Sequence, residues 1–440
     1  MALIKTAVER LRVGVFIQID TPWMQHPFLT NSFKIRSEKQ LKVLRSLGVE
    51  HVQVDEERSD CVPLEPGEAH APTPDVGLEP ALDELAEEAS AMASDPSLDA
   101  ETAALWEKKN ERIRKLKERR SRLNQCAKRY SSSVSSARKL FPMMRSMPVE
   151  ALREANELVS AMVDELGSDQ EATVQLVNLK HLEENNYFHA INVVSLALVL
   201  GQDLSLNARD LRILGLGALF HDLGHQQVPS QILLKKGAFT TPELMVYRRH
   251  PGLGLKIAQG IPTLPQPVIE IIGKHHEHLD GSGYPQGLRE QDLGMLTRII
   301  TIVNRYDNLC NGFNMRRGLS PHQAVSLMFS KEKARYDGQV LNTFISCLGV
   351  YPPGTVVRLE DERLAVVTSV NRENLAKPNV LVYAPDVPME EAVILDLSEE
   401  DFAVRESLHV DALSQDQIEY LNVSDKLSYY FEKKKRGRRG

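Results

Sequence analysis

Between residues 140 and 350 the sequence reads as helix after helix, and several of those helices end on histidine. The segments VEALREANELVSAMVDEL, NVVSLALVLGQ, ARDLRILGLGALFHD, TPELMVYRRHPGLGLKIAQ, QPVIEIIGKHHEH and MLTRIITIVNRYDNLC mostly carry apolar residues three and four apart. That spacing lines one face of a helix, so the region predicts an all-α domain of about seven helices. Thr240-Thr241-Pro242-Glu243 predicts a helix start, with Thr241 as cap and Pro242 at the first helical position. His189 lies within ENNYFHAINVV, His221 and Asp222 end the next helix, His250 ends VYRRH, and His275 with His276 closes another.

A bundle commonly builds metal sites from side chains that face inward from different helices. Any one of these histidines alone reads as an ordinary hydrogen-bonded core or surface residue. The adjacent pairs His221-Asp222 and His275-His276 favour the metal reading, because each ends an apolar helix and precedes a Gly-containing turn. Imidazole suits first-row transition metals, and a carboxylate can bridge two ions, for which Asp222 is the candidate. Five histidines and a carboxylate exceed what one tetrahedral zinc ion uses. The pattern therefore predicts a two-metal centre, which polarises a phosphoryl oxygen and activates water at neutral pH.

Around this domain the chain changes character several times. Residues 1–60 read as a small α/β module, with strands at Val13–Ile19 and His51–Asp55 and a helix over Ser37–Val49 capped by Ser37. Trp23, His26 and Phe28 read as loop packing before they read as a ligand site. Residues 61–100 are rich in Pro, Glu, Asp and Ala, too polar to offset their chain entropy, and predict a mobile acidic linker. Residues 101–140 predict a long, charged, exposed helix with Leu105, Ile113, Leu116 and Leu123 at loose helical spacing, a candidate homodimer contact through 101–138. Residues 351–400 switch to short β-branched runs, a small β-sheet or barrel, and residues 401–440 predict a helix and a solvated basic tail. The whole is multidomain and mainly α.

Composition narrows the function classes. The net charge of −7 and the Glu residues interleaved in the basic run, which presents no aromatic stacking platform, argue against DNA as a partner. The four cysteines form no CxxC pair, which fits a reducing compartment. The first residues lack the apolar core of a signal peptide, and no uncharged run approaches the ~20 residues of a membrane span. The expectation is a cytoplasmic protein.

The motif His221-Asp222-Leu223-Gly224-His225, followed by HHEHLDGSGYP at His275–Pro285, resembles the HD-GYP branch of the HD-superfamily metal-dependent phosphohydrolases. The resemblance continues through VPSQILLKKGAFTTPELMVYRRHPGLG and RIITIVNRYDNL, covering roughly residues 175–330. Residues 1–60, with LRVGVFIQIDTPWMQHPF, resemble a domain of unknown function often found ahead of HD-GYP domains in bacteria.

The family hydrolyses the second messenger cyclic di-GMP to pGpG or on to GMP, with two or three metal ions, often iron or manganese. Carried over by position, the resemblance makes His189, His221, Asp222, His250, His275, His276 and Asn304 metal ligands, with Asp222 bridging. Asp222 and His225 take catalytic roles. Gly283, Tyr284 and Pro285 match the GYP signature and, with Arg316, belong to the substrate loop, which is also where other signalling domains could dock. Glu277, Asp280 and Asp307 are supporting groups, and His278 matches no ligand position and is expected to be exposed.

Four positions depart from the family pattern. His225 stands where a phosphate-contacting Lys is usual, and reaches phosphate by charge only when protonated. Asn304 stands where an Asp is usual, so an ion there binds with one charge fewer. Phe313 replaces an Arg that helps hold ligand in some members. Asn185 takes the place of a Glu found in three-metal members, so two divalent ions, Fe or Mn, are implied. Two readings follow: an active cyclic di-GMP phosphodiesterase, supported by the six retained ligands, and a degenerate receptor or signalling scaffold, supported by the departures.

Overall fold

A computed structural model describes the chain except residues 1–2, 21–25, 29, 47–48, 50, 66–77, 95–99, 167–169, 177–185, 236, 312–317, 385–393, 422–426, 428 and 436–440. In chain order its first elements are β1 (Ile4–Ala7), β2 (Phe16–Gln18), β3 (Ser32–Lys34), α1 (Glu38–Ser46), β4 (His51–Val54), α2 (Leu78–Ala93), α3 (Ala100–Ser146), α4 (Pro148–Leu166) and β5 (Gln170–Leu176). Then come α5 (Asn186–Asp203), α6 (Ala208–Phe220), α7 (Ser230–Leu233), α8 (Thr241–Tyr247), α9 (His250–Gln259), α10 (Gln266–Lys274), α11 (Met295–Asn311), α12 (Pro321–Ser330) and α13 (Gly338–Leu348). The last are β6 (Val356–Leu359), β7 (Leu364–Ser369), β8 (Asn379–Val382), β9 (Ile394–Asp396), β10 (Val404–Ser407), α14 (Gln415–Leu421) and β11 (Tyr429–Lys435).

These elements fall into two units: 1–122 with 356–366 and 379–421, and 123–355 with 367–378 and 422–440. In the first, β1, β4, β2 and β3 form an antiparallel sheet in that order, and α1 packs on α2. The Ser37 hydroxyl accepts from the Gln40 amide at 3.2 Å, so the predicted cap is present. His26 and Phe28 are buried with their rings 5.9 Å apart, as loop packing requires, while Trp23 lies outside the described residues. The same unit holds the pairing of β10 with β6, β6 with the start of β7, and β8 with β9. Arg119, on the first part of α3, joins Asp396 at 3.2 Å and Glu399 at 2.7 Å.

The second unit is built around α5. Every residue from Ala190 to Leu200 is buried, which is why NVVSLALVLG is apolar on all sides and not striped. The helices α6, α11 and α13 and the strand β11 pack against it. Among the described residues no helix is long and apolar enough to cross a membrane.

Four expectations change. The helix of residues 101–138 runs from Ala100 through Pro142 to Ser146, and it is not simply exposed: Trp106, Ile113, Tyr130, Val134 and Leu140 are buried. The apolar residues on that face are thus partly used within the chain; the side chains of Leu105, Leu116 and Leu123 lie outside the described set. The start of the basic tail, as far as Lys435, is a strand: β11 pairs antiparallel with β5, from Tyr429↔Leu176 to Lys435↔Gln170, with Tyr429, Tyr430 and Phe431 buried. Its lysines hide three consecutive aromatics that seek cover. The strand β5, between α4 and α5, interrupts what read as a purely helical region. The cap of α8 is Thr240, one residue earlier than predicted, in a reciprocal pair with Glu243.

Candidate metal centre

Asp222 sits at the end of α6, just past His221, and a tight 3-10 turn over Leu223–Gln227 follows it. The turn presses against α9 so closely that a Cβ on Gly224 would overlap the His250 carbonyl oxygen. Only glycine lets the two backbones meet there, and their meeting sets His250 beside Asp222.

The carboxylate of Asp222 faces two groups of imidazoles. Its Oδ1 lies 3.3 Å from His250 Nε2 and 3.5 Å from His275 Nε2. Its Oδ2 lies 3.4 Å from His221 Nε2 and 3.7 Å from His189 Nε2. Ligand atoms of Asp222, His250, His275 and His276 lie within 4.8 Å of one another, as do those of His189, His221 and Asp222. The two sets share one carboxylate, each on its own oxygen.

The donor chemistry fits cations. Nδ1 of His221 faces the Ala218 carbonyl at 2.7 Å, that of His250 the Tyr247 carbonyl at 2.9 Å, and that of His275 the Ile272 carbonyl at 3.0 Å. A carbonyl only accepts, so each Nδ1 carries a proton and each ring turns its Nε2 inward. His250 and His275 then oppose their Nε2 atoms at 3.1 Å, and His189 and His221 do the same at 3.1 Å. Lone pairs facing at that distance repel unless a cation lies among them. Burial pushes His275 down to about 4 and His276 well below the usual imidazole range, so both are neutral rings at pH 7. Burial opposes ionisation of Asp222, but the imidazoles of His225 and His221 outweigh it and hold the carboxyl well below its usual range.

Comparison with known proteins divides the chain between residues 155 and 161, and not at the break between the two structural units at 122. The HD-domain family matches residues 161–340, and a domain of unknown function, DUF3391, matches residues 3–155. A cyclic di-GMP phosphodiesterase of Pseudomonas aeruginosa is 29% identical over 396 residues, 88% of this chain and 87% of that protein. One of Borreliella burgdorferi is 26% identical over 192 residues, 44% of this chain and 50% of its own length. A 3′3′-cGAMP-specific phosphodiesterase of Vibrio cholerae is 28% identical over 189 residues, 41% of this chain and 42% of its own length.

The chain carries an HD domain behind a DUF3391 domain.

The loop that carries Gly283, Tyr284 and Pro285 is fixed from below by Glu277. That fully buried carboxylate accepts from the amides of Gln286 at 2.6 Å and Leu288 at 2.9 Å. A Cβ on Gly283 would overlap the backbone of His276–His278, so the loop needs glycine there. Tyr284, joined to Pro285 by a cis peptide bond, stacks on His276 with centroids 4.5 Å apart, and Arg248 lies over its ring at 5.1 Å. Asp280 accepts from the Ser282 amide at 2.9 Å. His278 is half-buried, not exposed, and pairs with the Ser282 hydroxyl at 2.9 Å.

His225 is 7% exposed, and neither ring nitrogen has a hydrogen bond; Nδ1 lies 3.5 Å from Asp222 Oδ2. Burial pushes it down to about 3, so it is a neutral ring and not the protonated one that its alignment with a Lys suggests. Asn304 is 1% exposed and its Oδ1 accepts from Asn308 Nδ2 at 2.6 Å, which leaves that oxygen one lone pair. Asn185, Phe313 and Arg316 lie outside the described residues.

Sequence reasoning missed Asn192, one helical turn beyond His189. Its Nδ2 donates to Asp307 Oδ1 and to the Leu427 carbonyl, both at 2.8 Å. Its Oδ1 accepts from the Tyr429 amide at 2.9 Å and the Tyr130 hydroxyl at 3.0 Å. All four partners are distant in sequence, and no local signal marks the residue.

Proposed function

We propose that this protein is a metal-dependent phosphodiesterase that hydrolyses cyclic di-GMP, to pGpG or GMP, at a centre of two divalent ions, Fe or Mn. The observation that carries the reading is Asp222, whose two oxygens address two separate imidazole sets. His250, His275 and His276 would hold one ion and His189 and His221 the other, with Asp222 common to both and Asn304 offering a weak neutral oxygen. Ions so held supply Lewis acidity toward a phosphoryl oxygen and lower the pKa of water.

The side chains around them do the rest. Asp307 and the backbone carbonyls keep His189, His221, His250 and His275 in the tautomer that presents Nε2. Neutral His225 has an N–H to donate to a phosphate oxygen. Glu277 holds the GYP loop so that Tyr284 stays stacked on His276. The relatives named as cyclic di-GMP phosphodiesterases support the substrate.

The test is anaerobic loading with Fe(II) or Mn(II), addition of cyclic di-GMP, and chromatography of products, with His221→Ala/Asp222→Ala as control. Turnover that the double variant lacks is the expected result. Bound metal without turnover would favour the second reading, a cyclic di-GMP receptor, for which the observation is the Asn304 oxygen already engaged by Asn308.

A further inference from the structure

We propose that the last turn of α3 forms one wall of a nucleobase subsite beside the metal centre, in which Arg145 and Tyr187 hold one guanine of the cyclic dinucleotide. This rests on the cyclic di-GMP reading above. A cavity of about 590 Å³ opens within the second unit, and Asp222 and His225 line it together with Phe141, Pro142, Arg145 and Tyr187. That volume is in the range of small-molecule sites. A ligand whose phosphate reaches Asp222 therefore has this space next to it.

The lining has the chemistry of a base-binding site. Phe141 meets the Tyr187 ring edge-on at 5.4 Å, which fixes an aromatic surface in the wall. Aromatic side chains that accept a stacked base are the common device of nucleotide recognition. Arg145 is exposed and has no ion pair among the described residues. Its planar fork matches the O6 and N7 acceptors of guanine, whereas adenine presents an amino donor in place of O6. Leu234, on the rim, is 78% exposed, a large apolar side chain that gains from being covered. Apart from Asp222, no described lining residue is a carboxylate, so nothing there opposes an anion. His225 adjoins both spaces with two buried, unpartnered nitrogens.

The wall is tied to the centre. Gln226, in the turn that follows Asp222, donates from Nε2 to the Phe141 carbonyl at 2.9 Å. Phe141 and Arg145 belong to the stretch matched by the upstream domain, 3–155, and not to the HD-domain match, 161–340. The base is thus read jointly, by Phe141 and Arg145 from the upstream match and by Tyr187 from the HD-domain match.

The experiment uses the full chain loaded with metal, as wild type, Arg145→Gln and Tyr187→Leu. Affinities for cyclic di-GMP and cyclic di-AMP are measured by rapid filtration in the cold, before turnover. Metal content and turnover of bis(p-nitrophenyl) phosphate, a phosphodiester with no base, report on the centre. Both variants are expected to bind cyclic di-GMP about tenfold or more weakly, with metal content and small-substrate turnover unchanged, and Arg145→Gln to lose preference for guanine over adenine. Unchanged affinity in both variants, or equal binding of the two dinucleotides by wild type, would overturn the subsite. Wild type that shows this binding pattern without hydrolysing cyclic di-GMP would refute the phosphodiesterase and leave the subsite standing; hydrolysis that ignores both variants would do the reverse.

Discussion

Asp307 Oδ2 lies 2.6 Å from His189 Nδ1, so a fully buried carboxylate on α11 orients a histidine on α5 whose other nitrogen faces Asp222. Asn192 and Asn311 both donate to the second Asp307 oxygen at 2.8 Å, which completes the acceptor. Asp307→Asn keeps one oxygen, which the Asn192 and Asn311 amides hold, and so turns an NH2 donor toward His189 Nδ1. Metal affinity should fall about 10- to 100-fold while the fold persists. Metal titration followed by elemental analysis checks it, with circular dichroism as the control for folding.

Asn304→Asp should act in the opposite direction. It places a charge on α11, one turn before the Asp307 that orients His189, and a carboxylate binds a divalent ion more tightly than an amide oxygen does. Higher metal occupancy at equal free Mn(II), and faster turnover of cyclic di-GMP, are the expected outcomes. Lower occupancy would show that this position does not address the ions.

Metal removal should cost stability as well as activity. The paired Nε2 atoms at 3.1 Å repel without a cation. Ligand bound only by the folded state stabilises it by about 2.7 kcal/mol when free metal exceeds Kd a hundredfold. Chelation should lower Tm, Mn(II) should restore it, and His221→Ala should blunt the restoration.

The buried imidazoles also set a pH dependence. His275 is held at about 4 and His225 at about 3, both below the ordinary 6.5 of an unfolded chain. From pH 6.5 down toward 4 the unfolded chain binds protons that the folded one refuses, so stability of the metal-free protein is present above 6.5 and lost as pH falls through that window. Urea midpoints from pH 8 to pH 4 measure it. A flat profile would mean these rings are not buried neutral.

Gly224→Ala tests the close approach of the turn to α9. Its methyl group would displace the His250 carbonyl, and overpacking of this kind costs about 1–3 kcal/mol. Because His250 moves with α9, metal content should fall along with Tm. A drop in Tm with metal content intact would separate the packing from the site.

The sequence by itself determined the helical core and the candidate ligands. Apolar residues at helical spacing leave little choice but a bundle, and His221-Asp222 and His275-His276 are marked by standing at helix ends before glycine turns. What tertiary structure alone decided is how those residues face one another and what stands behind them. Asp222 divides its two oxygens between two imidazole sets only because Gly224 lets the turn meet α9. Asn192 reaches Asp307 and the Leu427 carbonyl, 115 and 235 positions away, and no local spacing encodes such partners. β11 read as a solvated tail because its lysines outweigh Tyr429, Tyr430 and Phe431 in any window. Those rings are buried because β5, more than 250 residues earlier, offers an edge to pair with. Periodicity reports which face of an element is apolar; it cannot report which distant surface that face will cover.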